Sequence, residues 1–404
     1  MEPLIFQPAD ILLPADADMQ RWSVIACDQF TSDRDYWDAV ERTVGGCPST
    51  LRMMLPEIDL GTCDEQKTAH QIQETMREYL THGVFSVVPH ALILLERTLT
   101  SGLIRRGLIG MMDLEAYDFS VSGCAPVRAT EYTVSSRLPP RVKVRADAVL
   151  EMPHIMVFFR DSEDRVMTCA DKLADHLLYD FDLMLGGGHV KGRRISGTDA
   201  DALSELLQSV VENDSLQYAV GDGNHSLAAA KELWNQKKKH LSSSEQLTHP
   251  SRFALVELVN IHDPAITFEP IHRVLFDVPA SAFVKEAKEA LLDTNGEKSI
   301  TLLAEGEQIL LPVIGASLGQ VIEHVDSFCR DFINRYGGTL DYIHGDAETK
   351  SLSGAHRCSG IMLPYLNKDE LFSSVEKTGP FPKKSFSIGL GPDKRYYLEC
   401  RKLL

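Results

Sequence analysis

The chain has 404 residues, 44% hydrophobic and 25% charged, values of an ordinary soluble globular protein with room for two domains. Lys+Arg 41 against Asp+Glu 58 leave a net charge of −17. That balance disfavours nucleic acid and anionic membrane as partners and leaves a small molecule held in a local basic pocket. Nothing in these figures fixes an oligomeric state.

No apolar run approaches the roughly 20 residues of a membrane helix. Met1-Glu2-Pro3-Leu4 carries neither the basic nor the apolar region of a signal, so a cytoplasmic location is expected. Eight scattered cysteines contain no C-x-x-C pair, which argues against zinc-ribbon or thioredoxin-type motifs and for reduced thiols.

Taken in chain order, Trp22 to Phe30 reads as a buried strand ending in polar Asp28 and Gln29. Thr31-Ser32-Asp33 then offers a cap for a helix over about 34–44. A second helix is expected over 63–81 and a core strand over 85–97, followed by a strand from Arg105 into an acidic turn near Asp113. From Arg128 to Arg145 lies the most basic stretch, with Thr130, Arg137, Arg141 and Lys143 and the single carboxylate Glu131. Arginine's planar fork suits phosphate or carboxylate, while Pro139-Pro140 is expected to make a stiff break. A solvated basic edge strand is the competing reading.

A buried strand over 152–161, a helix over 168–178 and the glycine run Gly186-Gly187-Gly188 follow, with His189 and Lys191 beside it. The run lacks the spacing of either phosphate-binding glycine motif. A helix over 199–213 leads into the stretch that gathers most polar chemistry. Leu216, Tyr218 and Val220 alternate as in a half-buried strand, and Gly221-Asp222-Gly223-Asn224 has turn chemistry. From Leu227 the pattern is helical, ending in Lys237-Lys238-Lys239. Asp222, Gly223, Asn224, His225 and Ser226 thus sit where a strand turns into a helix, and amides at such a start can hold a phosphate. Equally, Asn224 or Ser226 can simply cap the helix and His225 can be a hydrogen-bonded structural histidine.

Residues 240–250 read as a Ser-rich loop, and 253–263 as a strand with polar Asn260, His262 and Asp263 at its end. Phe268-Glu269-Pro270-Ile271-His272-Arg273 comes next. A boundary is placed near Pro279, giving a main domain over 1–278 and a smaller α+β region over 279–404. The latter carries a helix over 280–292, strands over 300–303 and 308–314 and a helix over 319–336.

Three functions compete. Phosphoryl transfer needs cations or amides around phosphate and a base for the acceptor hydroxyl; Arg128, Arg137, Arg141, Lys191, Asp222 and His225 supply these types. Metal-assisted hydrolysis could draw on His189, His225, His262, His272, Asp222 and Asp263, but no paired-histidine spacing supports a zinc site. The third is a non-catalytic nucleotide-binding switch. No G-x-S-x-G elbow favours a serine nucleophile.

The motifs Ala26-Cys27-Asp28-Gln29-Phe30, Arg128-Ala129-Thr130-Glu131, Arg137-Leu138-Pro139-Pro140-Arg141, Gly188-His189-Val190-Lys191-Gly192, Gly221-Asp222-Gly223-Asn224-His225-Ser226 and Phe268 to Arg273 together resemble the prokaryotic family called domain of unknown function ten-fifteen. The resemblance runs from about residue 10 to Glu399. Members of that family tend to be encoded beside serine-biosynthesis enzymes.

The Asp-Gly-Asn-His turn is also similar to the phosphate-binding turn of ParB/sulfiredoxin-like domains, which include free serine kinases. The resemblance implies a two-lobed α+β fold with mixed sheets and a nucleotide site at the strand-turn-helix. It implies phosphotransfer from ATP or ADP with Mg²⁺ to or from a small hydroxylated metabolite such as serine; phosphoserine-type hydrolysis is the nearest alternative. In that reading Asp222 and His225 are catalytic. Gly223, Asn224, Ser226, Arg128, Thr130, Glu131, Arg137, Arg141, His189 and Lys191 hold phosphate or nucleotide, and Asp28, Gln29, His272 and Arg273 hold substrate. The turn departs from ParB-like versions in having Ser226, not a basic residue, after His225, and Tyr132 stands where a small residue is expected.

Overall fold

Residues 4–59, 61–152 and 155–404 are described by a computed structural model, without the side chains of Asp28, Glu57 and Ser135. The fold is α+β with mixed sheets. The strand expected over 152–161 partly falls outside the described residues and is seen as Met156–Phe159.

Contacts divide the chain into two units. The larger holds Met1–Ala129, Thr133–Ile266 and Leu390–Leu404, the smaller Thr130–Tyr132 and Thr267–Gly389. The division therefore differs from the 278/279 boundary read from the sequence. The strand Phe268–Phe276 forms part of the smaller unit's own sheet, and the last fifteen residues return to the larger unit.

In the larger unit the main sheet runs, edge to edge, His176–Asp182, His189–Ser196, Phe85–Thr98, Ile104–Asp113, Phe253–Asn260, Met156–Phe159, Tyr218–Asp222, Val127–Ala129 and Tyr117–Asp118. Phe85–Thr98 shows why its sequence reads as one apolar run rather than as an alternation. Leu92 and Leu94 point into one buried cluster, and Ala91, Ile93 and Leu95 into another, so both faces are covered. The first cluster is closed by helices Thr198–Val211 and Asn224–Lys237, through Leu203, Leu207, Leu227 and Trp234. The second takes Trp22, Ile72, Met76 and the C-terminal Tyr396 and Leu398.

Several local expectations are corrected. Pro139-Pro140 does not break the chain but starts helix Leu138–Ala146, since a first helical turn has no use for the amide that proline lacks. The helix expected to Leu178 ends at Leu173, because Leu177 and Leu178 belong to the edge strand opposite His189–Ser196. In the expected loop over 240–250, Ser242 and Glu245 form a capping box on helix Ser243–Thr248.

The smaller unit orders its strands Glu307–Val313, Lys298–Ala304, Cys358–Met362, Phe268–Phe276 and Thr339–His344, with Phe386–Ile388 also on Phe268–Phe276. Helices Ala280–Leu291 and Leu318–Tyr336 pack through Phe283, whose ring lies 5.7 Å from those of Phe328 and Phe332. Among the described residues no helix is long and apolar enough to cross a membrane. All eight cysteines are unbonded thiols.

Candidate functional site

The strand Tyr218–Asp222 is buried at its start and half-buried at Gly221 and Asp222, so its polar end emerges where the core stops. Gly223 follows with φ +78°, a left-handed conformation that L residues rarely adopt, and helix Asn224–Lys237 begins at once. Asp222 faces two ways. Its Oδ1 accepts the Gly223 amide at 2.8 Å, which tightens the turn, and its Oδ2 lies 3.2 Å from the Lys394 ammonium. The Lys394 side chain is 9% exposed and that of Asp222 27%, so the pair sits at the boundary between core and solvent.

His225 is fixed through its ring. The Val134 amide donates to its Nε2 at 3.1 Å, so that nitrogen carries the lone pair and the neutral ring has its proton on Nδ1. While this bond holds, His225 cannot take a proton at Nε2. The catalytic role that the resemblance implies for His225 therefore does not run through Nε2.

Val127–Ala129 runs parallel to the turn strand, with Arg128 in register with Ala219. Arg128 is buried and its Nη1 donates to the Gly123 carbonyl at 3.4 Å. Beyond it the chain enters the smaller unit for three residues. The Thr130 carbonyl accepts the Phe381 amide at 2.7 Å, and Glu131 Oε1 accepts the Ser385 amide at 3.4 Å. These two residues are thus engaged with segments of the smaller unit.

Arg137 ends a short 3₁₀ turn, and its carbonyl accepts from Arg141 Nη1 at 3.0 Å. Arg141 and Arg145 line one cavity with Ser226 of the turn helix. Arg145 is committed to Glu151, which also takes Arg401 at 2.6 Å and the Leu255 amide at 3.0 Å. Burial raises the Glu151 pKa, but Arg401 and Arg145 outweigh it and hold the carboxyl below its ordinary value.

The remaining candidates lie elsewhere. His189 sits on a strand separated from the turn strand by four others, roughly five spacings of about 4.8 Å. Its ring bonds Asp182 at 2.8 Å and Asp180 at 2.7 Å, and Lys191 pairs with Glu96 at 3.2 Å. Burial lowers the His189 pKa, but the two carboxylates more than offset this and raise it overall.

In the smaller unit, fully buried His272 receives the Leu363 amide on Nδ1 at 3.1 Å and donates from Nε2 to Asp346 at 2.9 Å. Arg273, also fully buried, is held bidentately by Asp326 at 2.7 and 3.0 Å. Both side chains are tied into the packing of that unit, which differs from the substrate role expected of them. Gln29 stands in the short 3₁₀ segment Asp28–Phe30; the Asp28 side chain lies outside the described residues.

Sequence reasoning missed Lys394. No local pattern ties it to a turn so far away in the chain. Among the described residues no three His, Cys, Asp or Glu side chains converge on a metal position.

Among curated proteins no sequence matches this chain. Solved structures give distant overlaps. SbnI with C-terminal truncation from Staphylococcus aureus is 12% identical with a TM-score of 0.37, covering 70% of this chain and 82% of its own. A conserved hypothetical protein from Pyrococcus furiosus is 10% identical with a TM-score of 0.37, covering 72% and 94%. A free serine kinase variant in complex with ADP is 10% identical with a TM-score of 0.41, covering 72% and 91%. The sequence profile described as Protein of unknown function (DUF1015) matches residues 7–401, and to that family the chain belongs.

Proposed function

We propose that the protein is a nucleotide-dependent phosphotransferase acting on a small hydroxylated metabolite, with free serine the first acceptor to test. The observation that carries this reading is the Asp222–Lys394 pair at the mouth of the Gly223 turn. It sets a carboxylate and an ammonium side by side where a helix start favours phosphate.

Phosphoryl transfer needs cationic neighbours for the equatorial oxygens and an acceptor for the hydroxyl proton. Lys394 and the first turn of Asn224–Lys237 supply the first, and Asp222 the second. The acceptor oxygen forms its bond to phosphorus as the bond to the nucleotide oxygen breaks, and the hydroxyl proton passes to Asp222. Arg128 adds positive potential from the neighbouring strand. Mg²⁺, brought with the nucleotide, would be held by Asp222 and would supply charge neutralisation at the phosphates.

The test follows thermal unfolding with ADP and ATP, with and without Mg²⁺, and phosphate transfer to serine and related alcohols by ³¹P NMR. A ligand that binds the folded state selectively raises the midpoint. Asp222→Asn should lower transfer by about 10²- to 10⁴-fold with unchanged secondary structure. No midpoint shift with any nucleotide would overturn the reading. Hydrolysis of phosphoserine without transfer from nucleotide would replace it with a phosphohydrolase.

A further inference from the structure

Beside the turn helix lies a cavity of about 140 Å³ whose lining, Ser226 apart, the mechanism above does not use. Helix Leu138–Ala146 offers Arg141, Val144 and Arg145 to it, and the turn helix offers Ser226 and Ala229, three apart on one face. The rest of the wall is rich in methionine: Met53, Met54, Met76 and Met152.

Three properties select an occupant. The first is size: a cavity of about 150 Å³ takes up benzene, so about 140 Å³ has room for a ring. The second is chemistry: methionine sulfur is polarizable, adapts its shape, and makes favourable contacts with aromatic rings. The third is charge. Glu151, on the wall, meets two guanidiniums, those of Arg145 and Arg401, which leaves one positive charge in excess. A ring that arrives here therefore belongs to an anionic ligand, and Ser226 places the cavity within the first turn of the phosphate-favouring helix.

We infer that this cavity binds the heteroaromatic base of the nucleotide, with its phosphates directed to the Gly223 turn. The inference rests on the phosphotransferase reading and assigns its base-recognition site. Val144, half-buried on the lining, is the position to fill, because Val144→Phe places a ring of the protein's own in the space.

The experiment uses the full chain and three probes: ADP, adenosine and inorganic tripolyphosphate. Protein labelled with ¹³C in its methionine methyl groups, with signals assigned by single Met→Leu variants, should show Met53, Met76 and Met152 shifting with ADP and adenosine. The same signals should stay in place with tripolyphosphate. Val144→Phe should weaken ADP on the order of 10- to 100-fold, from the apolar area no longer buried, and leave tripolyphosphate within about twofold. ADP binding to the wild type that leaves these methyl signals unmoved would overturn the base site yet keep the phosphotransferase reading. Failure of both ADP and tripolyphosphate to bind would remove that reading, and the base site with it.

Discussion

Two histidines of one chain respond to acid in opposite directions, and each sign follows from its neighbours. Burial is the main influence on His272 and outweighs Asp346, so its folded pKa lies below the usual 6.5. Between that depressed value and 6.5 the unfolded chain binds the extra proton, so stability falls as pH drops through this window. For His189 the balance is reversed, because Asp182 and Asp180 overcome burial. Its contribution is complete below about 6.5 and fades as pH rises through the raised folded value. Denaturant unfolding from pH 7.5 to 5 should therefore show stability of the wild type falling on the acid side more steeply than in His272→Asn. Equal slopes would mean that His272 is not held neutral.

Neither histidine's role was legible in the sequence. His272 stands in a motif that resembles a family signature, but its partners Asp346 and Leu363 come from distant segments. Arg273 is similar, since its partner Asp326 lies in the helix Leu318–Tyr336. With side-chain exposures of 0% and 9%, removal of one partner leaves an unpaired buried charge. Arg273→Met should cost about 3–5 kcal/mol, and the double change Arg273→Met with Asp326→Leu distinctly less, both read from urea midpoints.

At the scale of elements, the strand-turn-helix was legible because each part has a local cause. Tyr218 and Val220 alternate, Gly223 permits the left-handed turn, and Leu227 and Trp234 return on the helical period. Where two patterns overlap the sequence is ambiguous. Leu177 and Leu178 continue a helical spacing, but the edge of a sheet takes them instead. Pro139-Pro140, expected as a break, instead occupies the first turn of a helix. The turn itself makes a sharp prediction. Gly223→Ala forces an L residue to φ +78° and should destabilise by about 1–2 kcal/mol, whereas Gly223→Asn, better suited to that region, should cost less. If the two variants unfold at the same urea concentration, the turn does not hold this conformation in solution.

At the scale of the whole molecule, the least legible feature is the return of residues 390–404 to the larger unit, because nothing local marks where a tail will dock. Its anchors are numerous. Leu12 and Cys400 exchange backbone hydrogen bonds at 2.8 and 3.0 Å, and the Trp22 indole donates to the Leu398 carbonyl at 3.1 Å. Tyr396–Tyr397 pairs with Val24–Ile25. Arg395 enters the core between Glu257 and Glu399, each 3.2 Å away, with all three side chains fully buried. Arg105 shares Glu257, and the Tyr179 hydroxyl donates to Glu399 at 2.5 Å.

The same segment presents Lys394 to Asp222, so the ion network and the proposed catalytic pair hang on consecutive residues. Arg395→Met should consequently cost about 3–5 kcal/mol by leaving two buried carboxylates short of a cation. It should also lower phosphotransfer, because the backbone that aims Lys394 loses its anchor. Lys394→Met removes the ammonium from Asp222 without touching the core network, so it should reduce transfer with a smaller loss of stability. Hydrogen exchange separates the two: Arg395→Met should speed exchange in Phe253–Asn260 and Phe85–Thr98, and Lys394→Met should leave those strands protected. Equal protection in both variants would show that the buried ions do not hold the tail, and the link from core to turn would have to run through the Tyr396–Tyr397 pairing instead.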